Sequence, residues 1–284
     1  MRNKINKVAI VVMMLLCPLG TFAQSDDFGA WFSAGVVKKI DKRFNVGVEA
    51  EYRLRDDLKT SDRWSVGMDI DYKLTNWLKA SVGYTFLNDN NEKNDKYTYF
   101  DSEDDIDEDT GEPYGYYGKV KKIVINPNYW GKRHRFNVSL TGSIDIGRLN
   151  VSLRERWQYT YRPAKTVTRE TYEYSYSLDG ILYDDYPIIN NEEKTYKGKG
   201  KNVLRSRLML EYNIPHCKVD PFVSVETYNA WSLYKTRYTI GADWKIAKPQ
   251  TLSFYYRYQH VKGSDDFDSD PNMHIIGLGY KYKF

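Results

Sequence analysis

Acidic and basic side chains recur two residues apart along this chain: Glu49, Glu51 and Arg53; Asp69, Asp71 and Lys73; Arg154 and Arg156; Arg205 and Arg207; Lys235 and Arg237. Glu211, Glu226, Asp243, Arg257 and Lys79 continue the same alternation in their own segments. Period-two spacing puts such residues on one face of an extended strand. A face of mixed carboxylates and guanidinium groups selects ions and small polar solutes by charge if it lines a wet passage. In a narrow passage it cross-links itself and leaves little aperture.

Other chemistry is thinner. Four histidines are present, and a hydrolase would need a nucleophile and an orienting acid beside one of them. His260, followed by Asp265 and Asp266, is the best placed, with His274 beyond the same acidic segment; neither has a Ser- or Cys-based motif beside it. His134 stands between Arg133 and Arg135, and His216-Cys217 is too sparse for a metal site without two further ligands. The acidic stretches DSEDDIDEDTGE (101–112) and DDFDSD (265–270) offer carboxylates to a hard cation. Spaced against an EF-hand loop, however, Gly111 falls one position late and Tyr116 stands where the bidentate Glu belongs, so they read as solvated, mobile loops. No catalytic residue, metal ligand or cofactor is assigned.

The elements that position the alternating charges are strands of roughly ten to thirteen residues, the length a tilted membrane-spanning strand requires. The clearest is residues 234–246, where Tyr234, Thr236, Tyr238, Ile240, Ala242, Trp244 and Ile246 oppose Lys235, Arg237, Thr239, Gly241, Asp243 and Lys245. Residues 28–40, 44–55, 64–74, 77–87, 136–146, 149–162, 203–214, 219–228, 252–259 and 272–284 behave alike, and turn residues such as Asp41-Lys42, Thr75-Asn76, Gly147-Arg148 and Lys248-Pro249 separate several of them. In the last, Ile276, Leu278, Tyr280, Tyr282 and Phe284 share one face, and Lys281 and Lys283 lie on the other. Glu155 interrupts an apolar face between Leu153 and Trp157, where charge is costly, and a β-bulge turning it inward is expected.

The first residues have a separate role. Arg2, Lys4 and Lys7 precede the apolar run Val8 to Leu16, and Thr21-Phe22-Ala23 precedes Gln24. That is the layout of a secretory signal peptide cleaved after residue 23, leaving residues 24–284 as a single barrel domain. Its removal takes away three basic and no acidic residues, lowering the formal charge from +4 to +1, so the basic pI gives no support for nucleic-acid binding. Cys217 is then the lone cysteine and permits no internal disulfide. The 26 tyrosines and seven tryptophans suit a membrane interface, and the mean hydropathy of −0.67 suits a barrel, where alternate residues alone meet lipid.

These features describe an all-β transmembrane antiparallel up-and-down β-barrel of 10–12 strands with two long polar loops, residues 88–132 and 163–201. Eleven strands can be counted. An even number with both termini on the periplasmic side is the bacterial norm, so twelve is expected, with the missing strand between residues 116 and 126 or 168 and 177. A ten-stranded barrel with residues 28–40 placed elsewhere is the other repair.

The order FNVGVEAEYRLR, DRWSVGMDIDYKLTNWLKASVGYTF, HRFNVSLTGSIDIGRLNVSLRERWQY, PFVSVETY, LSFYYRYQH and HIIGLGYKYKF resembles the outer-membrane barrels grouped as domain-of-unknown-function family 2490. The resemblance covers residues 24–284 and implies residence in the outer membrane of a diderm (Gram-negative) bacterium; it carries no catalytic residues. The final strand resembles the C-terminal strand that barrel-assembly machinery reads. Expected partners are therefore outer-membrane lipid, that machinery, and a surface glycan or protein met by the loops. The expected function is a pore or passive channel for small polar solutes with a charged lumen. A structural or surface-binding barrel acting through its loops is the alternative, and a barrel hydrolase comes third.

Overall fold

The computed structural model describes residues 26–262 and 271–284. The signal-peptide residues 1–23 and the acidic stretch 265–270 lie outside them. The described residues form two compact units.

The first unit comprises the residues through Asp89, Lys132–Arg162 and Lys199–Phe284. It is a closed barrel of eleven strands: β1 (Asp27–Lys39), β2 (Phe44–Arg55), β3 (Thr60–Lys73), β4 (Leu78–Asn91), β7 (Tyr129–Ile146), β8 (Leu149–Arg162), β11 (Lys199–Tyr212), β12 (Val219–Asn229), β13 (Leu233–Ala247), β14 (Gln250–Val261) and β15 (Met273–Lys283). Each strand pairs antiparallel with its neighbour except at the closure, where β1 and β15 run parallel from Asp27↔Met273 to Val37↔Lys283. An odd number of alternating strands requires this, because the first and last then point the same way. Closure leaves no edge strand, which a membrane would not tolerate.

The expected twelfth barrel strand is therefore corrected. Both segments proposed for it do hold strands, β6 (Val120–Asn126) and β9 (Lys165–Glu173), but these pair with β5 (Asn94–Tyr99) and β10 (Ile188–Tyr196) in a separate sheet of order β10-β9-β6-β5. That sheet belongs to the second unit, residues Asn90–Gly131 and Pro163–Gly198. The two segments read as long polar loops are thus joined in one antiparallel sheet, with β6 meeting β9 from Lys122↔Glu173 to Ile125↔Glu170. The ten-strand alternative fails as well, since β1 pairs with both β2 and β15 inside the barrel.

Turn chemistry sorts the two ends of the barrel. At one end the connections are short. Asp41 accepts backbone hydrogen bonds from Arg43 and Phe44, each at 2.6 Å, Thr75 accepts from Leu78 at 3.0 Å, and Gly147 takes the positive φ of 64° that the two-residue β7–β8 turn demands. Phe284 lies at this end, its amide donating to Val37. Asp27 lies at the other end, where the connections to β5, β9 and β15 depart.

Alternation divides the wall. Val48, Val66, Met68, Val138, Leu140, Leu153, Leu208, Val225, Ile240 and Ile276 are exposed on the outer face, joined by Trp64, Trp157, Tyr238, Trp244 and Tyr280. Glu155 stays on that face. The register of β8 with β7 and β11 runs unbroken through it, so the expected bulge is absent, and its carboxylate instead accepts a 2.6 Å hydrogen bond from Ser206 on the adjoining strand.

Candidate functional site

The inward positions build a lumen with two halves. Toward the end where Asp27 lies, side chains from facing walls meet and fill it. Trp31 on β1 is 4 % exposed and packs against Met273 and Ile275. Three guanidinium groups surround its ring: Arg53 at 3.7 Å, Arg237 at 4.8 Å and Arg257 at 5.0 Å from the centroid. Arg53 is neutralised by Glu51 at 2.6 Å. Glu226 binds Arg154 at 2.6 Å and Arg205 at 3.0 Å and accepts the Tyr228 hydroxyl at 2.9 Å. Arg205 also donates to Gln158 and Arg237 to Gln259, each at 2.9 Å, and Arg237 reaches the Tyr228 hydroxyl. Lys235 lies 4.8 Å from the Tyr228 ring. Asp89 is buried between Arg63, which donates from both Nε and Nη2, and Arg133, at 2.6 Å. Buried charges survive only with such partners, because desolvation otherwise exceeds their attraction.

Toward the short-turn end the lumen is open and polar. A cavity of about 210 Å³ is lined by Glu49, Asp69, Asp71, Lys79, Arg154, Arg156, Arg207 and Lys281, with Ser81, Ser139 and Thr141 among them. Asp71 takes Lys79 at 3.0 Å and Ser81 at 2.5 Å. Asp69 leans over Gly83, where any Cβ would collide with its carboxylate. Nearer the rim, Asp243 accepts Ser253 at 2.6 Å, and the inward Lys73, Asp145, Lys245 and Lys283 are exposed. An eleven-stranded barrel is intermediate between eight-stranded ones filled by side chains and sixteen-stranded ones with an aqueous channel, so one girth holds both a packed and an open half.

All sixteen residues read as lumen-lining thus sit on the inward parity. Glu51, Arg53, Arg205, Glu226, Lys235, Arg237 and Arg257 join the packed half. Glu49, Asp69, Asp71, Arg156 and Arg207 line the cavity, with Arg154 between the two. Glu211, Asp243 and Lys73 lie toward the short-turn rim. Sequence reading missed Trp31, Arg63, Asp89, Arg133, Gln158, Tyr228 and Gln259. Parity was the available signal for Trp31, which alternates with Gly29, Ser33 and Gly35 as the large member of a small inward set.

His134, His260 and His274 lie on the outer face, and His216 lies in the turn between β11 and β12. His260 is exposed and paired in register with Thr236, and its proposed acids fall outside the described residues. His274 has closer partners: Nδ1 lies 2.7 Å from the Tyr256 hydroxyl and Nε2 3.6 Å from Asp26. His134 makes a similar 2.8 Å contact with Tyr84. Both read as aromatic-belt pairs. Among the described residues no three His, Cys, Asp or Glu side chains converge as a metal site would need.

In the second unit, Arg169 donates two hydrogen bonds to Glu192 across the β9–β10 pair, at 2.6 and 3.0 Å, holding that carboxyl below its usual range. Asp105, expected in a mobile loop, is instead buried in a short 3-10 turn, where it accepts from Ser102 at 3.0 Å. Asp107 accepts from the amides of Asp109 and Thr110. These carboxylates serve turns.

A closed, polar-lined barrel with an apolar, aromatic-girdled outer wall is the architecture of β-barrel membrane proteins. The model of the family "Protein of unknown function (DUF2490)" matches residues 28–270, and the chain belongs to that family. No curated protein matches the sequence. Among solved structures it is similar to the β domain of the Bordetella autotransporter Brka, at 10% identity over 85% of this chain and 82% of that one, with a TM-score of 0.45. It is similar also to the translocator domain of the autotransporter NalP from Neisseria meningitidis (10% identity, 91% of each chain, TM-score 0.44) and to the NanC porin (12%, 91% and 99%, 0.42).

Proposed function

We propose that this protein resides in the outer membrane of a diderm bacterium and conducts small polar solutes through its charged lumen. The observation that carries the reading is the polar cavity of about 210 Å³ inside a wall whose outer face is apolar. The packed half of the lumen is made of side chains, so it acts as a gate: parting the contacts of Arg154 and Arg205 with Glu226 needs rotamer changes and no backbone rearrangement. In this reading the short-turn end faces the periplasm. Outer-membrane lipid covers the outer wall, and β15, with Ile276, Leu278, Tyr280, Tyr282 and Phe284 on its outward parity, is the strand presented to the barrel-assembly machinery. The protein is read as a conduit without catalytic chemistry of its own.

Reconstitution in planar bilayers tests this, after a heat-modifiable gel shift shows the barrel folded. Small discrete conductance steps are expected; a folded, inserted and silent barrel would remove the reading.

One observation favours a second role through the other unit. Tyr97 and Tyr99, 53 % and 45 % exposed, stack at 6.5 Å on β5, a flat aromatic platform of the kind that takes a glycan ring or a protein side chain. Tyr97→Ala with Tyr99→Ala should then abolish capture on a glycan or surface-protein array without changing the gel shift.

A further inference from the structure

The charges of the lumen are not all treated alike. Glu51, Asp71, Asp89, Asp220 and Glu226 each hold a cation, and Arg53, Arg63, Arg133, Arg154, Arg205, Lys79 and Lys245 are the cations they hold. Among the described residues, Glu49, Asp69, Arg156 and Arg207 make no ion pair and no hydrogen bond. The Nε atoms of Arg156 and Arg207 and the Oδ1 of Asp69 are nevertheless buried without a partner. Such groups are rare in folded proteins and costly, and a site awaiting its ligand is one reason for them.

Their placement is ordered. In the pairing of β8 with β11, Arg156 stands opposite Arg205 and Arg154 opposite Arg207, which makes Arg156 and Arg207 diagonal neighbours on one inward face. In the pairing of β2 with β3, Glu49 stands opposite Gly67 and Asp69 opposite Gly47, so these two are diagonal neighbours as well. Diagonal neighbours sit roughly 7 Å apart, within reach of one small ionised group. β11 and β2 are five strands apart one way round and six the other, so Arg207 and Glu49 face each other across the lumen. All four line the same cavity of about 210 Å³. Lys281 lines it too, on the Glu49 side, since Gly35 pairs in register with both, but beyond ion-pair distance of that carboxylate.

Arg156 with Arg207, and Glu49 with Asp69, therefore each set like charges side by side, and no ion pair or hydrogen bond joins the two pairs across the cavity. A simple anion would relieve the arginines and meet repulsion from Glu49 and Asp69. A molecule carrying both signs relieves both. We propose that the cavity is a binding site for a small zwitterionic solute of the amino-acid or short-peptide class. Its carboxylate is taken by Arg156 and Arg207, and its ammonium by Glu49 and Asp69. This deepens the conduit reading by naming what enters the lumen, and it rests on that reading for its biological sense.

Isothermal titration of the folded, detergent-solubilised protein with L-alanyl-L-alanine, sodium acetate and ethylammonium chloride tests it without requiring passage through a membrane. The dipeptide should bind saturably, and at least tenfold more tightly than either single-charge probe. Arg156→Gln with Arg207→Gln, and separately Glu49→Gln with Asp69→Asn, should each weaken dipeptide binding by about tenfold or more, the loss expected for charge-assisted hydrogen bonds. The heat-modifiable gel shift of both variants should be unchanged, which separates lost binding from lost folding. Acetate binding as tightly as the dipeptide, with no effect of the Glu49 and Asp69 changes, would overturn the proposal in favour of a plain anion site; so would absence of saturable dipeptide binding. Binding in a barrel that is silent in bilayers would keep the site and remove the conduit. Conductance without binding would keep the conduit and remove the site.

Discussion

Glu226→Gln strikes the point where the packed half of the lumen is held together. The carboxylate accepts from Arg154 at 2.6 Å, from Arg205 at 3.0 and 3.1 Å, and from the Tyr228 hydroxyl at 2.9 Å. Glutamine preserves the shape and one accepting oxygen but removes the charge that two buried guanidinium groups share. Breaking a buried ion pair from one side costs roughly 3–5 kcal/mol, chiefly because the abandoned charge stays desolvated. Arg154 borders the cavity and can turn toward it, and the amide oxygen keeps one hydrogen bond, so the low end, about 3 kcal/mol, is expected. The assay is urea unfolding of the barrel in lipid vesicles, followed by tryptophan fluorescence, with the gel shift as a check on folding. Adding Arg205→Met to a Glu226→Met background should recover part of the loss, because it leaves one abandoned guanidinium, Arg154, in place of two. The same variant should conduct more than the wild type, its gate being untied. A midpoint shift worth less than about 0.5 kcal/mol, typical of an ordinary surface substitution, would show that these contacts do not hold the lumen shut.

Other consequences are as direct. Glu155→Leu removes a carboxylate from the outer wall between Leu153 and Trp157, and should raise stability in lipid by roughly 1 kcal/mol while leaving it unchanged or lower in urea without lipid. Gly277→Val places a side chain where the Tyr255 ring lies over β15, so the ring must leave; a loss of roughly 1–3 kcal/mol is expected, with Tyr255→Ala in the same chain restoring part of it. Excising residues 92–128 alone strips β6 from β9 and exposes an unpaired edge, so that variant should aggregate even in detergent, whereas excising residues 165–197 as well should leave a heat-modifiable barrel that stays dispersed in detergent; light scattering and the gel shift read both.

Much of this architecture was legible in the residues, for a physical reason. Strand parity is a local property, and in a barrel it alone decides which side chain meets the lumen and which meets the outside. Arg237 and Glu226 could therefore be placed inward before any partner was known. Pairing is not local. Nothing in the sequence joins Arg154 to Glu226 or Asp89 to Arg133, because those contacts depend on register between strands that are not consecutive in the chain, whereas Arg63 meets Asp89 within the β3–β4 hairpin. The count of eleven was visible too, and the even-number expectation pushed it to twelve; β6 and β9 have strand texture, but their register partners lie in another sheet. Glu155 was misjudged in the opposite direction. A bulge was expected because charge on a lipid-facing wall is costly, yet Ser206, placed beside it by the β8–β11 register, gives the carboxylate a hydrogen bond without any bulge.

The central claim is that the outer wall meets lipid while the charged face does not, and single-tryptophan variants read this directly. One retains Trp157, 47 % exposed on the outer wall; the other retains Trp31, 4 % exposed within the lumen. In vesicles containing lipids brominated along the acyl chain, Trp157 fluorescence should be strongly quenched and Trp31 fluorescence should be insensitive to bromine. Equal quenching of the two, or none at Trp157, would contradict a barrel inserted in a membrane with its charges inside.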